Sequence, residues 1–405
     1  MFDGLISRTP IYTRTLDVFG YELRFCSGEA LHSGVRDDLP QWGECLVRAS
    51  HAVKLHEITG ESRALIRLPP PLLHVCDDIR WPREKIVLAV PAPAMSDQAV
   101  ERVVWHLAKE GYTIALHNPS RDLVEVKRDA DFVSICALDA NSPNVLKAPL
   151  TPGIGPRRPD LLVRELETSQ QYDHFRGLGF DYYEGAFFAR PRLIQSCEIP
   201  ANRLAVLHLI ARMQNPDVDI HEVEELVSRD LTLSYKLLRL INAAFFGMPK
   251  RVESIRRAVL VLGLQRIKNW ATVILVNAID FRPRELLTMA MVRARTCELL
   301  AQDLGREPVE PYYIAGLFSL LDAIMDAPMA QILERLGLAE NLDRALLDGT
   351  GPVGEVLSSV LMFERGEGSE APCRSFSQAS VPSQAYLEAI RWASEAARQI
   401  QSAPS

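Results

Sequence analysis

Over the first half of the chain, short apolar runs alternate with stretches of helical period, and over the second half the helical period takes over almost entirely. Ile86-Val87-Leu88-Ala89-Val90 is an unbroken apolar run rich in β-branched residues, the pattern of a strand covered on both faces. Ser96 to Gly111 predicts a helix between a Ser cap and a closing Gly, and Tyr112-Thr113-Ile114-Ala115-Leu116 predicts the next strand. Asp131 to Ile135 reads as another strand, and Ser169 to Leu178 as a helix leading into Tyr182-Tyr183. Strand, helix and strand in series imply parallel strands with right-handed crossovers, hence an α/β barrel or an open α/β sheet. Ala140 to Asp160, rich in Pro, Gly and Asn, is expected to be a loop inside that domain.

The pattern changes between Pro191 and Asn202, so two domains are expected, residues 1–195 and residues 196–405. In the second, Asp230 precedes an apolar stripe of Leu233, Leu237, Leu238, Ile241, Ala244 and Phe245, with Gly247 as terminator. Ser254 caps a short helix that Gly263 closes. Further helices are expected over 284–304, 312–326, 354–365 and 384–399, with Gly366 to Pro382 as a mobile linker before the last.

Composition narrows the classes. The 405 residues are 47% hydrophobic with a net charge of -7, enough to bury one or two cores. The seven cysteines stand at least 19 positions apart, which excludes CxxC zinc or redox motifs and points to reduced thiols. The start of the chain lacks a basic segment before an apolar run, and no apolar run reaches membrane-spanning length, so a cytoplasmic protein without membrane association is expected. All nine histidines fall at or before His221, so a hydrolytic site in the second half would have to work without imidazole.

Particular residues carry a resemblance. Gly20-Tyr21-Glu22-Leu23-Arg24-Phe25, the run Gly111 to Leu116, Glu167-Thr168, and Gly179 to Phe188 followed by Pro191 resemble an EAL domain, a barrel-type cyclic di-GMP phosphodiesterase. Ser228-Arg229-Asp230, Leu237 to Gly247 and Ala258 to Leu264 resemble an HDOD domain, a helical relative of HD-type metal phosphohydrolases that lacks their catalytic residues. The tandem looks like the bacterial EAL-HDOD signalling family. The fold this implies is a degenerate (β/α) barrel of EAL type followed by an all-helical HDOD domain. About 190 residues is short against the roughly 250 of a full barrel, so an incomplete or distorted ring is also expected.

An EAL site needs several carboxylates and an Asn to hold two divalent metals, plus a Lys near the attacking water. Against that pattern Glu22 is kept, Cys26 replaces an Arg, Arg67 the Asn, Ala89 a Glu, His117 and Asn118 two aspartates, Ser134 the Lys, Arg164 a Glu, and Glu184 a Gln. In the helical half, Ser319 and Leu320 take the places of the HD pair, and Asp322 reads as a solvent-facing helix carboxylate. His117 has no carboxylate at readable spacing that would make it a general base.

The expectation drawn from this is a protein that is not an enzyme, with no catalytic residue, metal or cofactor, acting in signalling by protein contact. Implied partners are a diguanylate cyclase, a sensor kinase or a second copy of the chain. An alternative is a non-hydrolysing cyclic dinucleotide sensor with Glu22, Arg67, Arg164 and Glu184 lining the pocket. A further alternative uses the run from Arg229 to Lys268, nine basic residues against two acidic ones. Lys250, Arg251, Arg256, Arg257, Arg266 and Lys268 would form its interaction surface, for an acidic partner or for nucleic acid. Nucleic acid is the less expected of the two, because no nucleic-acid motif accompanies the run and the chain as a whole is acidic.

Overall fold

The computed structural model describes residues 5–26, 39–118, 133–142, 145, 159–189, 201–215, 217–228, 231–242, 252, 254–277, 279, 284–365 and 380–401. The chain forms two compact units. One holds Met1–Phe188 with Met362–Ala371 and Phe376–Leu387, the other Ala189–Leu361 with Pro372–Ser375 and Glu388–Ser405.

The first unit is a closed ring of eight strands in chain order: β1 (Leu5–Thr13), β2 (Val18–Cys26), β3 (Arg63–Arg67), β4 (Ile86–Pro91), β5 (Thr113–His117), β6 (Val133–Asp139), β7 (Asp160–Leu166) and β8 (Tyr182–Gly185). Its first strand runs antiparallel to both neighbours, and the pairs from β2 to β8 are parallel. The ring is therefore complete, contrary to the incomplete barrel that length suggested. It is short because a hairpin replaces one crossover helix, and a 3-10 segment (Pro70–Asp78) stands between β3 and β4 where a full helix would be longer.

Alternation sorts the strand residues into two apolar layers. Ile11, Leu65, Val87, Ala89, Ala115, Ile135, Ala137 and Leu162 point into the ring and form one cluster. Ile6, Tyr21, Leu23, Ile66, Leu88 and Ile114 point outward and join α1 (Leu39–Ala52), α2 (Leu55–Thr59) and α3 (Gln98–Lys109) in the other. Asp97, not Ser96, caps α3: its carboxylate accepts from Ala99 N at 2.8 Å, while the Ser96 hydroxyl donates to Pro93 O. Behind β7, α4 (Ser169–Gly177) packs Tyr172 flat on Phe187, with ring centroids 4.9 Å apart. Thr168 and Gln171 form its capping box.

The second unit is helical, as its period predicts. Its helices are α5 (Ala201–Gln214), α6 (Ile220–Ser228), α7 (Leu231–Ile241), α8 (Ile255–Leu262), α9 (Leu264–Asn277), α10 (Arg284–Asp303), α11 (Glu310–Phe318), α12 (Leu321–Met325), α13 (Met329–Leu336), α14 (Glu340–Leu347) and, up to Leu361, α15 (Gly351–Arg365). The last helix, α16 (Ser380–Gln401), begins within the expected linker, whose residues 366–379 lie outside the described residues. Ser254 caps α8 through Arg257 N, and Gly263 ends it at φ +88°. From Ile267 to Val276 every residue of α9 is buried. Trp270 meets Trp392 of α16 at 5.1 Å. The single helix expected over 312–326 is two, broken at Ser319 and Leu320. Among the described residues, no helix is long and apolar enough to cross a membrane.

Candidate functional site at the barrel mouth

At the carboxyl ends of the strands the inward positions change from apolar to charged. Glu22 and Arg24 continue the inner face of β2, Arg67 that of β3, His117 that of β5, Asp139 that of β6, Arg164 that of β7 and Glu184 that of β8. Two backbone features aim the last of these. Glu165 adopts φ +60° in a bulge between Val163 and Leu166, and Gly185, at φ +144°, faces the Leu166 backbone so closely that a Cβ there would lie 2.1 Å from its carbonyl oxygen.

Arg164 is the hub. With 1% of its side chain exposed, it donates from Nε to Glu184 Oε2 at 2.6 Å, from Nη2 to Glu22 Oε2 at 2.7 Å and from Nη1 to Asp139 Oδ1 at 3.4 Å, and Nη1 lies 2.7 Å from His117 Nε2. Arg67 Nε lies 2.7 Å from Glu22 Oε1, and Arg24 Nε lies 3.8 Å from the same atom. Asn118 clamps Asp139 from both sides, donating to its carboxylate at 2.5 Å and accepting from its backbone N–H at 2.9 Å. His117 Nε2 also approaches Asp139 Oδ1, at 3.1 Å.

The carboxyl groups respond differently. Burial pushes Glu22 up, but the charge of Arg164, a hydrogen bond with Glu184 and the charges of Arg67 and Arg24 outweigh it, so Glu22 sits well below the usual range. Glu184 goes the other way, to about 8, because burial and the neighbouring Glu22 charge exceed the help it receives from Arg164. Asp139 is lowered to about 2: burial opposes ionisation, while hydrogen bonds with His117 and Asn118 and the charges of His117 and Arg164 favour it. At neutral pH three arginines thus face two ionised carboxylates and one largely protonated one.

The four residues named from sequence, Glu22, Arg67, Arg164 and Glu184, meet here. Asp139 and Arg24 were missed. The Lys position was placed at Ser134, but Ser134 is exposed near the start of β6, and the inner face of that strand runs Ile135, Ala137, Asp139. The carboxylate that His117 was thought to lack is this one, 22 positions away in sequence and one strand away in space. Continuing the alternation of β6 by one more pair would have found it.

The two divalent metals implied by the EAL resemblance can be tested against this donor set. Among the described residues, no three or more His, Cys, Asp or Glu are arranged to hold a metal ion. Glu22, Glu184 and Asp139 all turn to the guanidinium of Arg164 instead, so the residues as arranged do not fit a divalent ion.

In the helical unit, the HD-pair position is occupied by Ser319, whose hydroxyl accepts from Arg293 Nη1 at 3.2 Å and donates to Gly316 O at 2.8 Å. Asp322 is only partly exposed, contrary to the solvent-facing expectation. Burial pushes its carboxyl up, against a hydrogen bond from Ala323 N and the charge of Arg293, because α12 starts inside the packed bundle. The basic run breaks up. Arg256, Arg257 and Arg266 are exposed, whereas Lys268 is 3% exposed and donates to Asn215 O at 2.9 Å, so it belongs to no surface. It lies on the buried stretch of α9. Arg229, Lys250 and Arg251 lie outside the described residues, as do Phe245 and Gly247.

Comparison with known proteins fits this architecture. The HDOD domain model matches residues 199–338. A Vibrio cholerae protein named cyclic di-GMP phosphodiesterase CdgJ is 27% identical over 99% of this chain and 94% of its own length. An uncharacterised Bacillus subtilis protein, YuxH, is 23% identical over 96% of this chain and 97% of its own. Among solved structures, a standalone EAL protein of Vibrio cholerae bound to c-di-GMP is 20% identical, covering 47% of this chain and 93% of that one, with a TM-score of 0.34. The Xanthomonas citri FimX EAL domain with c-diGMP is 13% identical, covering 48% and 90%, with a TM-score of 0.36.

The chain joins a closed eight-stranded barrel to a helical region that matches the HDOD domain. The chain carries an HDOD domain and, over nearly its whole length, is similar to the Vibrio cholerae protein CdgJ. One expectation is overturned by the same comparison. The chain was expected not to be an enzyme, yet its full-length relative bears the name of a phosphodiesterase. The count of lost ligands placed the Lys position of β6 at Ser134, whereas that strand brings an oxygen donor, Asp139, to the mouth.

Proposed function

We propose that the chain acts in cyclic di-GMP signalling and that its barrel mouth is where the cyclic dinucleotide is recognised. The observation that carries this is the cationic rim over the buried hub. Arg67 and Arg24 leave 41% and 37% of their side chains exposed beside partly exposed His117, Asn118 and Asp139. A guanidinium offers paired donors that match phosphate oxygens, and these two are reachable while Glu22 beneath them is not. Asp139 and Asn118 add acceptors and a donor of the kind a guanine edge requires. The name of the full-length Vibrio cholerae relative supports the choice of ligand.

Onward signalling is proposed to pass through protein contacts of the helical unit. There Leu260 and Val261 are exposed on the same helix as Arg256 and Arg257, an apolar patch edged with positive charge.

Isothermal titration of the full chain with cyclic di-GMP tests the ligand, with linear dinucleotide assayed in the same samples with and without Mg²⁺ or Mn²⁺. Saturable binding that Arg67→Glu weakens about tenfold or more is the expected result. Absence of heat at high ligand concentration rejects it. Accumulating linear product would give this chain the activity in its relative's name.

A further inference from the structure

We propose that Arg164 is a tethered cation: its guanidinium holds the place at the barrel mouth that Glu22, Glu184 and Asp139 would otherwise offer to a divalent metal ion, so a ligand is recognised there without one. The second clause rests on the cyclic dinucleotide reading; the first stands on geometry alone.

Three carboxyl groups from β2, β6 and β8 lie within 2.6 to 3.4 Å of one guanidinium that solvent does not reach. Burying a full positive charge is costly unless opposite charges compensate it in place, and here they come from three different strands. The ring makes room for the long side chain with short ones, since Ala89, Ala115 and Ala137 line its interior. The bulge at Glu165, directly after Arg164, and the bare Gly185 that accommodates it are the backbone devices beside the hub.

A second observation concerns the outer oxygen of Glu22. Glu22 is fully buried, and its Oε1 receives no aligned hydrogen bond, only the lateral approach of Arg67 at 2.7 Å and Arg24 at 3.8 Å. An oxygen buried with a surplus lone pair and aimed at a cation is what a metal-ligating carboxylate looks like when another cation stands in. With Arg164 present, an incoming dication would meet like charge from Arg164 and Arg67 at contact distance.

The test uses the full chain and manganese(II), followed by the loss of its free-ion paramagnetic resonance signal and by thermal melting. The wild-type chain is expected to bind no manganese at millimolar concentration. Arg164→Ala should melt lower, and manganese should raise its midpoint again. That rescue should vanish in Arg164→Ala with Glu22→Gln, and Arg164→Lys, which restores a cation, should bind no manganese. An Arg164→Ala chain that folds but shows neither binding nor rescue overturns the tethered cation. If that variant does not fold, the wild type decides: manganese binding that Glu22→Gln weakens overturns the proposal, and no binding upholds it.

For the metal-free clause, cyclic di-GMP isotherms in a chelator and in Mg²⁺ should agree within about twofold, and a tightening by Mg²⁺ of about tenfold or more overturns it. No cyclic di-GMP binding under either condition is a failure of the ligand reading, and the manganese results still judge Arg164.

Discussion

Glu184 and Glu22 face one guanidinium with opposite protonation, and pH makes that visible. The ordinary value for either carboxyl is 4.5, and in the folded barrel Glu184 is pushed up to about 8. Between these values the folded chain keeps a proton that the unfolded chain has released, so Glu184 contributes stability below pH 4.5 that is lost as pH rises towards 8. Glu22 and Asp139 have the opposite sign, contributing stability that is lost only as pH falls below the ordinary carboxylate range. Chemical denaturation of the wild type at several pH values from 5 to 8 should therefore show stability falling by at most about 1.4 kcal/mol per pH unit for this one proton. Glu184→Gln should remove that slope, and an unchanged slope would place the proton elsewhere. Glu22, Arg67, Arg164 and Glu184 could be named because each stands at a position of the EAL pattern that the chain resembles. Asp139 and Arg24 were hidden because they belong to the site only through alternation along β6 and β2, which a motif match in the wrong register does not follow.

Elements show a similar division. The apolar run of β4 and the Ser254 cap of α8 were legible because each rests on local chemistry. Ring closure was not legible, because it depends on a hairpin and a 3-10 segment taking the place of crossover helices, and neither has a strong period. The break between α11 and α12 was also missed, since Ser319 and Leu320 interrupt no apolar stripe. The bulge in β7 gives the sharpest expectation at this scale. Gly185→Ala must both adopt φ +144° and push its methyl into the Leu166 backbone, so it should cost on the order of 3 kcal/mol in urea denaturation. An Ala variant within about 0.5 kcal/mol of wild type would show that the pairing of β7 and β8 can shift to admit it.

For the molecule as a whole, charge decides one question that the sequence left open. The run from Arg229 to Lys268 offered a basic surface with nucleic acid as its less expected partner, yet Lys268 is buried, and among the described residues the exposed members are Arg256 and Arg257 on α8 and Arg266 on α9, with Lys236 and Arg239 of α7 only partly exposed. With a chain net charge of -7 against them, a labelled DNA duplex at 0.15 M salt should show no saturable, salt-dependent change in anisotropy. Binding that Arg256→Glu with Arg257→Glu abolishes would restore the surface.

The antiparallel first strand carries a consequence for how the protein is made. Ile11, Tyr12 and Thr13 pair with Glu184, Tyr183 and Tyr182, so the ring is sealed by contacts between its earliest and latest segments. A chain emerging from the ribosome cannot seal it until β8 has left the tunnel, and through all of that synthesis both outer strands keep unpaired backbone edges. Such long-range pairing is slow to form, and a product cut short before Tyr182 is expected to aggregate through the same two edges.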